Sequence, residues 1–267
     1  MAFALLVILR IFLLVSVERN VQMAYYNCLL FDVDDTLLDF SAAERQALQE
    51  TFQKFEIPYT DENVSCYQSI NTSLWAALEK GEIKKDKLVV KRFEQLLQQL
   101  DLQGNPAAIN EYYLNRLSEK AVLFEDADVV LKNLSEVATI AVVSNGVEKV
   151  QKGRLQRSGL LPLMDAVFVS EKLGVTKPNR KFFDIALQTL GVNNKQKVLV
   201  IGDSLKADIQ GGNNAGLATC WCNFSQAENH GKIKPQYEIH HLQELYELVM
   251  EQEELDDIGN TAKRHML

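Results

Sequence analysis

Apolar residues fall into two kinds of pattern along this chain, and the two are segregated. Short uninterrupted runs predict strands buried on both faces: Cys28-Leu29-Leu30-Phe31, Thr139-Ile140-Ala141-Val142-Val143, Ala166-Val167-Phe168-Val169, Val198-Leu199-Val200-Ile201 and Leu217-Ala218-Thr219-Cys220-Trp221. From the second run onward, helical stretches alternate with the strands. One runs from Val147 to Ser158 and stops at Gly159, and another from about Arg180 to Leu190 stops at Gly191. A short helix ends at Ala215 and Gly216, and a closing helix lies around His241 to Met250. Alternation of this kind predicts a parallel sheet covered by helices on both faces.

Between the first and second runs the spacing is helical throughout. Ser41-Ala42-Ala43-Glu44 has the capping-box pattern, so a helix is predicted over 41–55, with Leu48, Phe52 and Phe55 as its apolar stripe and Ile57-Pro58 as its end. Three more helices are predicted around Glu62 to Glu79, Lys84 to Leu100 and Pro106 to Leu123, separated by Lys80-Gly81 and Gln103-Gly104-Asn105. The chain thus divides into an α/β core of residues 23–40 and 124–250, an inserted helical bundle of 41–123, and a frayed tail of 251–267.

The stretch before the core is nearly all apolar from Ala2 to Val17, broken by Arg10 and Ser16. It lacks the charged start and small-residue cleavage site of a signal peptide, and falls short of the roughly 20 apolar residues of a spanning helix. Two readings stand: a segment that anchors or targets the chain, and an extension ahead of a natural start at Met23. The second is favoured, because Met23-Ala24-Tyr25-Tyr26 leads directly into the first strand. Composition adds that 267 residues suffice for one large domain or a core with a smaller companion. A net charge of −8 argues against a nucleic-acid polymer as partner. Four scattered cysteines suit a reducing cytoplasm, with Cys220 and Cys222 as packing thiols. His230, His240, His241 and His265 show no ligand spacing and read as surface residues.

The chemistry sits where the strands end. The first strand runs into Asp32-Val33-Asp34-Asp35-Thr36, the second into Ser144-Asn145-Gly146, the fourth into Gly202-Asp203-Ser204, and Lys177-Pro178 precedes a helix. Taken singly each has an ordinary explanation: an acidic turn, a strand-to-helix turn, a helix cap, a solvated lysine. Together, at one edge of a parallel sheet, they form a site for a phosphoryl group and a hard divalent cation such as Mg²⁺. Asp35 reads as a turn residue.

These four segments, with Asp208, resemble the motifs of the haloacid dehalogenase superfamily of phosphatases, over about Tyr26 to Met250. The resemblance implies a doubly wound, Rossmann-like α/β core with the helical insert as a cap. It implies that Asp32 is the nucleophile and Asp34 the general acid and base. Ser144 and the amide of Asn145 would hold phosphoryl oxygens, and Lys177 would neutralise their charge. Mg²⁺ would be held by Asp32, Asp203 and the carbonyl of Asp34, with Asp208 behind them. True dehalogenases lack an acid at the Asp34 position, so a phosphoryl-transfer member is expected.

Finer wording, such as Phe31 to Phe40 and Gly202 to Gly212, is similar to the bacterial pyrimidine 5′-nucleotidases of the YjjG type. The expected partner is a small phosphorylated substrate, a nucleoside monophosphate, with the protein a monomer or homodimer. No membrane is expected unless the N-terminal segment is real. A sugar-phosphate phosphatase resembling the acylneuraminate 9-phosphatases is the alternative, and a phospho-aspartate signalling receiver a more distant one. Phe40, beside the acidic turn, is the best candidate for stacking on a base, while Tyr67 and Trp75 of the insert are expected to pack the bundle.

Overall fold

The computed structural model describes residues 24–250. The N-terminal segment with Met23, the tail 251–267 and His265 lie outside the described residues.

Strand β1 (Cys28–Phe31) is buried at every position. Leu29 and Phe31 enter one core cluster, Cys28 and Leu30 the other, so a strand with a two-residue side-chain period has no polar position to offer. It pairs in parallel with β2 (Thr139–Ser144) on one side and β4 (Val198–Gly202) on the other. With β3 (Ala166–Val169), β5 (Ala218–Cys222) and β6 (Tyr237–Ile239) the sheet is wholly parallel, in the order β3-β2-β1-β4-β5-β6. The winding reverses between β1 and β4, which opens a crevice at the carboxyl ends of those strands. The free thiols of Cys220 and Cys222 are buried on β5.

Five inserted or flanking helices follow in chain order: α1 (Phe40–Lys54), α2 (Asp61–Glu79), α3 (Lys85–Gln99), α4 (Pro106–Ser118) and α5 (Ala127–Leu134). After β2 come α6 (Glu148–Arg157), the single turn α7 (Ser170–Leu173), α8 (Arg180–Leu190), α9 (Gln210–Ala215) and α10 (Leu245–Met250). Side chains of α5, α6 and α10 cover one face of the sheet, those of α8 and α9 the other. At about 1.5–3 kcal/mol for each large apolar side chain, this two-sided burial outweighs local propensity. Helix α5 and the three-residue edge strand β6 were not expected from the pattern.

Helices α1 to α4 enclose a core of their own, in which the rings of Tyr67, Phe93 and Tyr113 meet at 5.3–5.9 Å. Two expectations need correcting here. Ser41 does not cap α1; Asp39 does, its carboxylate accepting from the Ala42 amide at 2.7 Å. Glu44 is thereby released from the helix end and buried, where it accepts from Tyr113 and Asn71. Helix α4 also stops at Ser118 rather than Leu123, because Leu123 bridges back to Leu38. The Asp39 amide donates to Val122 and the Phe124 amide to Leu37, so the two connections between insert and core run side by side.

Candidate active site

The β1–β4 ladder carries one rung beyond Phe31, the Asp32 amide donating to Ile201 at 2.8 Å, and this fixes Asp32 at the reversal point. Its carboxylate is met by Lys177, which is 1% exposed. The Lys177 ammonium donates at 2.6 Å to each of Asp32 Oδ1, Asp208 Oδ1 and the Val143 carbonyl, so its three donors are engaged. The lysine is held in place from its backbone. Asn145 accepts from the Lys177 amide and donates to the Lys177 carbonyl, both at 2.9 Å, and the Lys177–Pro178 bond is cis.

Asp208 lies on a π-helical turn (Leu205–Ile209) that Ser204 caps through the Ala207 amide. The other oxygen of Asp208 accepts from the Ser204 amide at 3.1 Å. A Cβ on Gly202 would stand 2.3 Å from that carboxylate, so a glycine at the end of β4 is what lets Asp208 reach the crevice. Asp32, Asp203 and Asp208 each bring an oxygen within 4.8 Å of the others. Three carboxylates around one ammonium leave excess negative charge in a desolvated place. Burial, against the pull of Lys177 and with added repulsion from Asp208 and Asp34, pushes Asp32 up to about 7. Burial and the neighbouring Asp208 and Asp32 raise Asp203 well above the carboxylate range. Burial opposes the charge on Lys177, but Asp208 and Asp32 overcome it and hold the lysine above its ordinary value. An all-oxygen, net-negative donor set fits a hard divalent cation such as Mg²⁺.

Asp34 turns the other way, toward α6. Gln151 Nε2 donates to its Oδ2 at 2.6 Å, and Arg154 Nη1 donates to its Oδ1. The same Gln151 nitrogen lies 3.1 Å from Ser144 Oγ, which also accepts from the Gly146 amide at 3.0 Å. Asp35 adopts the left-handed turn conformation at φ 55° and accepts from the Phe40 amide.

Above these groups lies a cleft of about 500 Å³, whose far wall is formed by Phe40, Asn71, Trp75 and Arg92. Tyr67 packs inside the bundle as expected, and Trp75 packs against the cluster of Leu74, Leu78 and Leu88 while also lining the cleft, its indole nitrogen donating to Asn71 at 3.1 Å. Several ties cross from insert to core, and two border the cleft. Lys85 donates to the Gly146 carbonyl at 2.8 Å and to Ser170 at 2.6 Å, and burial pushes its amine down to about 8. Lys206 pairs with Glu79 at 2.8 Å. His230 is exposed, and His240 is half-buried with Nδ1 2.9 Å from the Asn223 carbonyl. No described histidine lines the cleft.

Sequence reasoning brought Asp32, Asp34, Ser144, Asn145, Lys177, Asp203, Asp208 and Phe40 forward, and the fold gathers them around this one crevice. Gln151, Arg154 and Lys85 were missed. Gln151 and Arg154 stand three apart on the helix that follows Ser144, a spacing that puts both on one face and could have been read as pointing back at the strand ends.

The doubly wound sheet and its strand-end acids define an α/β protein with an acidic site at the reversal of the winding. Residues 29–222 match the family of haloacid dehalogenase-like hydrolases, and the chain belongs to that family. It is 35% identical over 224 residues to the pyrimidine 5′-nucleotidase YjjG of Escherichia coli, covering 84% of this chain and 98% of that one. It is 37% identical to the pyrimidine 5′-nucleotidase PynA of Streptococcus pneumoniae, covering 83% and 94%. Among solved structures, the HAD-hydrolase YfnB of Bacillus subtilis, bound to magnesium and described as revealing interdomain movement, superposes with a TM-score of 0.79 at 40% identity, covering 84% and 98%. Among the described residues no helix is long and apolar enough to cross a membrane.

Proposed function

We propose that the protein is a Mg²⁺-dependent phosphatase that hydrolyses nucleoside 5′-monophosphates, pyrimidine nucleotides foremost, through an aspartyl-phosphate. The observation that carries a phosphatase is the pair of acids two residues apart with opposite surroundings: Asp32 against Lys177, Asp34 against α6. Asp32 Oδ attacks phosphorus, and the P–O bond to the leaving alkoxide breaks as Asp34 supplies its proton. Asp34 then takes a proton from water, which attacks the phosphoaspartate and frees orthophosphate and the Asp32 carboxylate. Ser144 Oγ and the backbone amide of Asn145 hold phosphoryl oxygens, and Lys177 offsets charge on them. Asp32, Asp203 and the Asp34 carbonyl would hold Mg²⁺, with Asp208 behind them; bound there, the cation neutralises the acids and polarises the phosphoryl group.

Residues 41–123 act in this reading as a cap whose closure keeps bulk water from the leaving group. The nucleotide preference is supported by similarity to YjjG and PynA over nearly their whole lengths, and by Phe40 and Trp75 in the cleft as flat surfaces for a base. The free thiols support a reducing cytoplasm. Phosphate release from a panel of UMP, dTMP, purine nucleotides and sugar phosphates, including N-acylneuraminate 9-phosphate, with and without Mg²⁺, tests the proposal. Turnover of sugar phosphates equal to or faster than that of UMP and dTMP would overturn the nucleotide assignment, and undiminished activity in EDTA the metal.

A further inference from the structure

Arg154 has one of the largest fully buried side chains in the protein, at 0% exposure, and sits on a helix with few apolar residues. Its surroundings account for its charge without reference to helix packing. Nη1 reaches Asp34 Oδ1, Nε donates to the Lys120 carbonyl at 3.1 Å, and the guanidinium lies 5.7 Å from the Phe40 ring centroid. Phe40 and Lys120 belong to the outgoing and returning connections of the insert, so Arg154 is gripped by both. One turn earlier, Gln151 holds the other Asp34 oxygen and touches Ser144 Oγ. Gly146 makes room for it, since a Cβ there would stand 2.2 Å from Gln151 Nε2. Gln151 Oε1 and Arg154 Nη2 are buried without a protein partner, which a fold-stabilising role alone would not favour.

We infer that Gln151 and Arg154 are positioning residues for Asp34: two donors from one rigid helix, one on each carboxylate oxygen, that set the direction in which Asp34 delivers its proton. The inference rests on the proposed phosphatase reading, in which Asp34 is the acid and base. Arg154 acts through Asp34, and Gln151 acts through Asp34 and through Ser144, whose Oγ it also touches. A short carboxylate has two side-chain torsions, and fixing both oxygens fixes both torsions before substrate arrives. The Lys120 contact further ties that orientation to the returning connection of the insert.

The discriminating property is the leaving group. An alkyl phosphate expels a poor alkoxide that needs a proton, whereas p-nitrophenyl phosphate expels a phenolate that does not. Because kcat/KM reports the steps through expulsion of the first product, it isolates proton delivery from the later attack of water. We would measure kcat/KM, with Mg²⁺, for p-nitrophenyl phosphate and for whichever alkyl monoester the wild type turns over fastest. The variants are Gln151→Met, Arg154→Met and Arg154→Lys.

For Arg154→Met, kcat/KM on the alkyl ester should fall about tenfold or more, a part of the ~10²–10⁴ that acid–base catalysis supplies, while the value for p-nitrophenyl phosphate stays within about threefold; Gln151→Met, which also loses its contact with Ser144, should lower both values, the alkyl one about tenfold further. Arg154→Lys should recover part of the alkyl loss. Equal losses on both esters, or none on either, would overturn the inference. If Arg154→Met does not fold, Gln151→Met, which removes a neutral donor at similar volume, decides by the same ratio. A wild type inactive on every alkyl and aryl phosphate would instead bring down the phosphatase reading, and Asp34 positioning with it.

Discussion

Arg92 of the insert and Lys177 of the core are both buried cations, and they are compensated differently. Arg92 of α3, 3% exposed, is matched within the bundle: Asn110 accepts from it at 2.9 Å, Val89 at 3.1 Å, and its guanidinium lies 4.5 Å from the Tyr113 ring centroid. One nearby acid, Glu44, balances its charge, and burial raises that acid above its ordinary value. Lys177 faces three acids, with two in direct contact and Asp203 alongside. The insert is neutral where it is dry, while the core keeps an uncompensated negative charge. Charge that the fold does not balance is charge left for a ligand, and the contrast separates a structural network from a reactive one.

The sharpest way to break this contrast is to remove one charge from each side. Asp32→Asn is expected to lower phosphate release by at least about 10³-fold, with a melting temperature equal to or above that of wild type, because it relieves the excess. Arg92→Met is expected to do the reverse to the fold, costing on the order of 3–5 kcal/mol in urea unfolding by leaving the charge of Glu44 and the side-chain oxygen of Asn110 unmatched. If Asp32→Asn unfolded the protein, or Arg92→Met left its stability unchanged, the distinction between the two networks would collapse.

A smaller effect sharpens the same point. Asp32 carries a folded value near 7 against 3.8 for the ordinary carboxyl. Between those pH values the folded, metal-free protein retains a proton that the unfolded chain has released, so its stability falls as pH rises through the window. A cation that displaces this proton binds more tightly as pH rises. Mg²⁺ should therefore raise the melting temperature more at pH 8 than at pH 5.5, with a ceiling of about 2.7 kcal/mol at one hundred times its Kd. Asp203→Asn should abolish most of that gain. An Mg²⁺ effect that is flat with pH would count against the acid cluster as the cation site.

Where sequence reading succeeded, the physical signal was local. A doubly buried strand has no polar positions, so β1, β2 and β4 stand out as apolar runs, and the first polar residue after each marks a strand end. Once alternation implies a parallel sheet, those ends must share an edge, which made Asp32, Ser144 and Asp203 legible as one site. Where it failed, two local readings were equally good. Ser41-Ala42-Ala43-Glu44 satisfies the capping box, yet Asp39 provides the better-placed oxygen and Glu44 is drawn into the bundle by Tyr113 and Asn71. Trp75 and Tyr67 have the same apolar character, and three-dimensional packing encloses Tyr67 within the bundle while Trp75, packed against Leu74, Leu78 and Leu88, also borders the cleft. β6 is too short to carry a periodic pattern, and its pairing with β5 defines it.

The sequence by itself therefore determined the sheet, the helical insert and the acids at the strand ends, because each is encoded by periodicity or by an abrupt change in polarity between neighbours. The tertiary structure alone decided what surrounds each acid. Asp32 and Asp34 are two residues apart and chemically identical, and nothing local distinguishes them. What separates them is that one meets Lys177, 145 positions away, and the other meets Arg154, 120 positions away. Contacts over such distances arise from how the helices close over the sheet, and that closure sets the charge, orientation and expected role of each carboxylate.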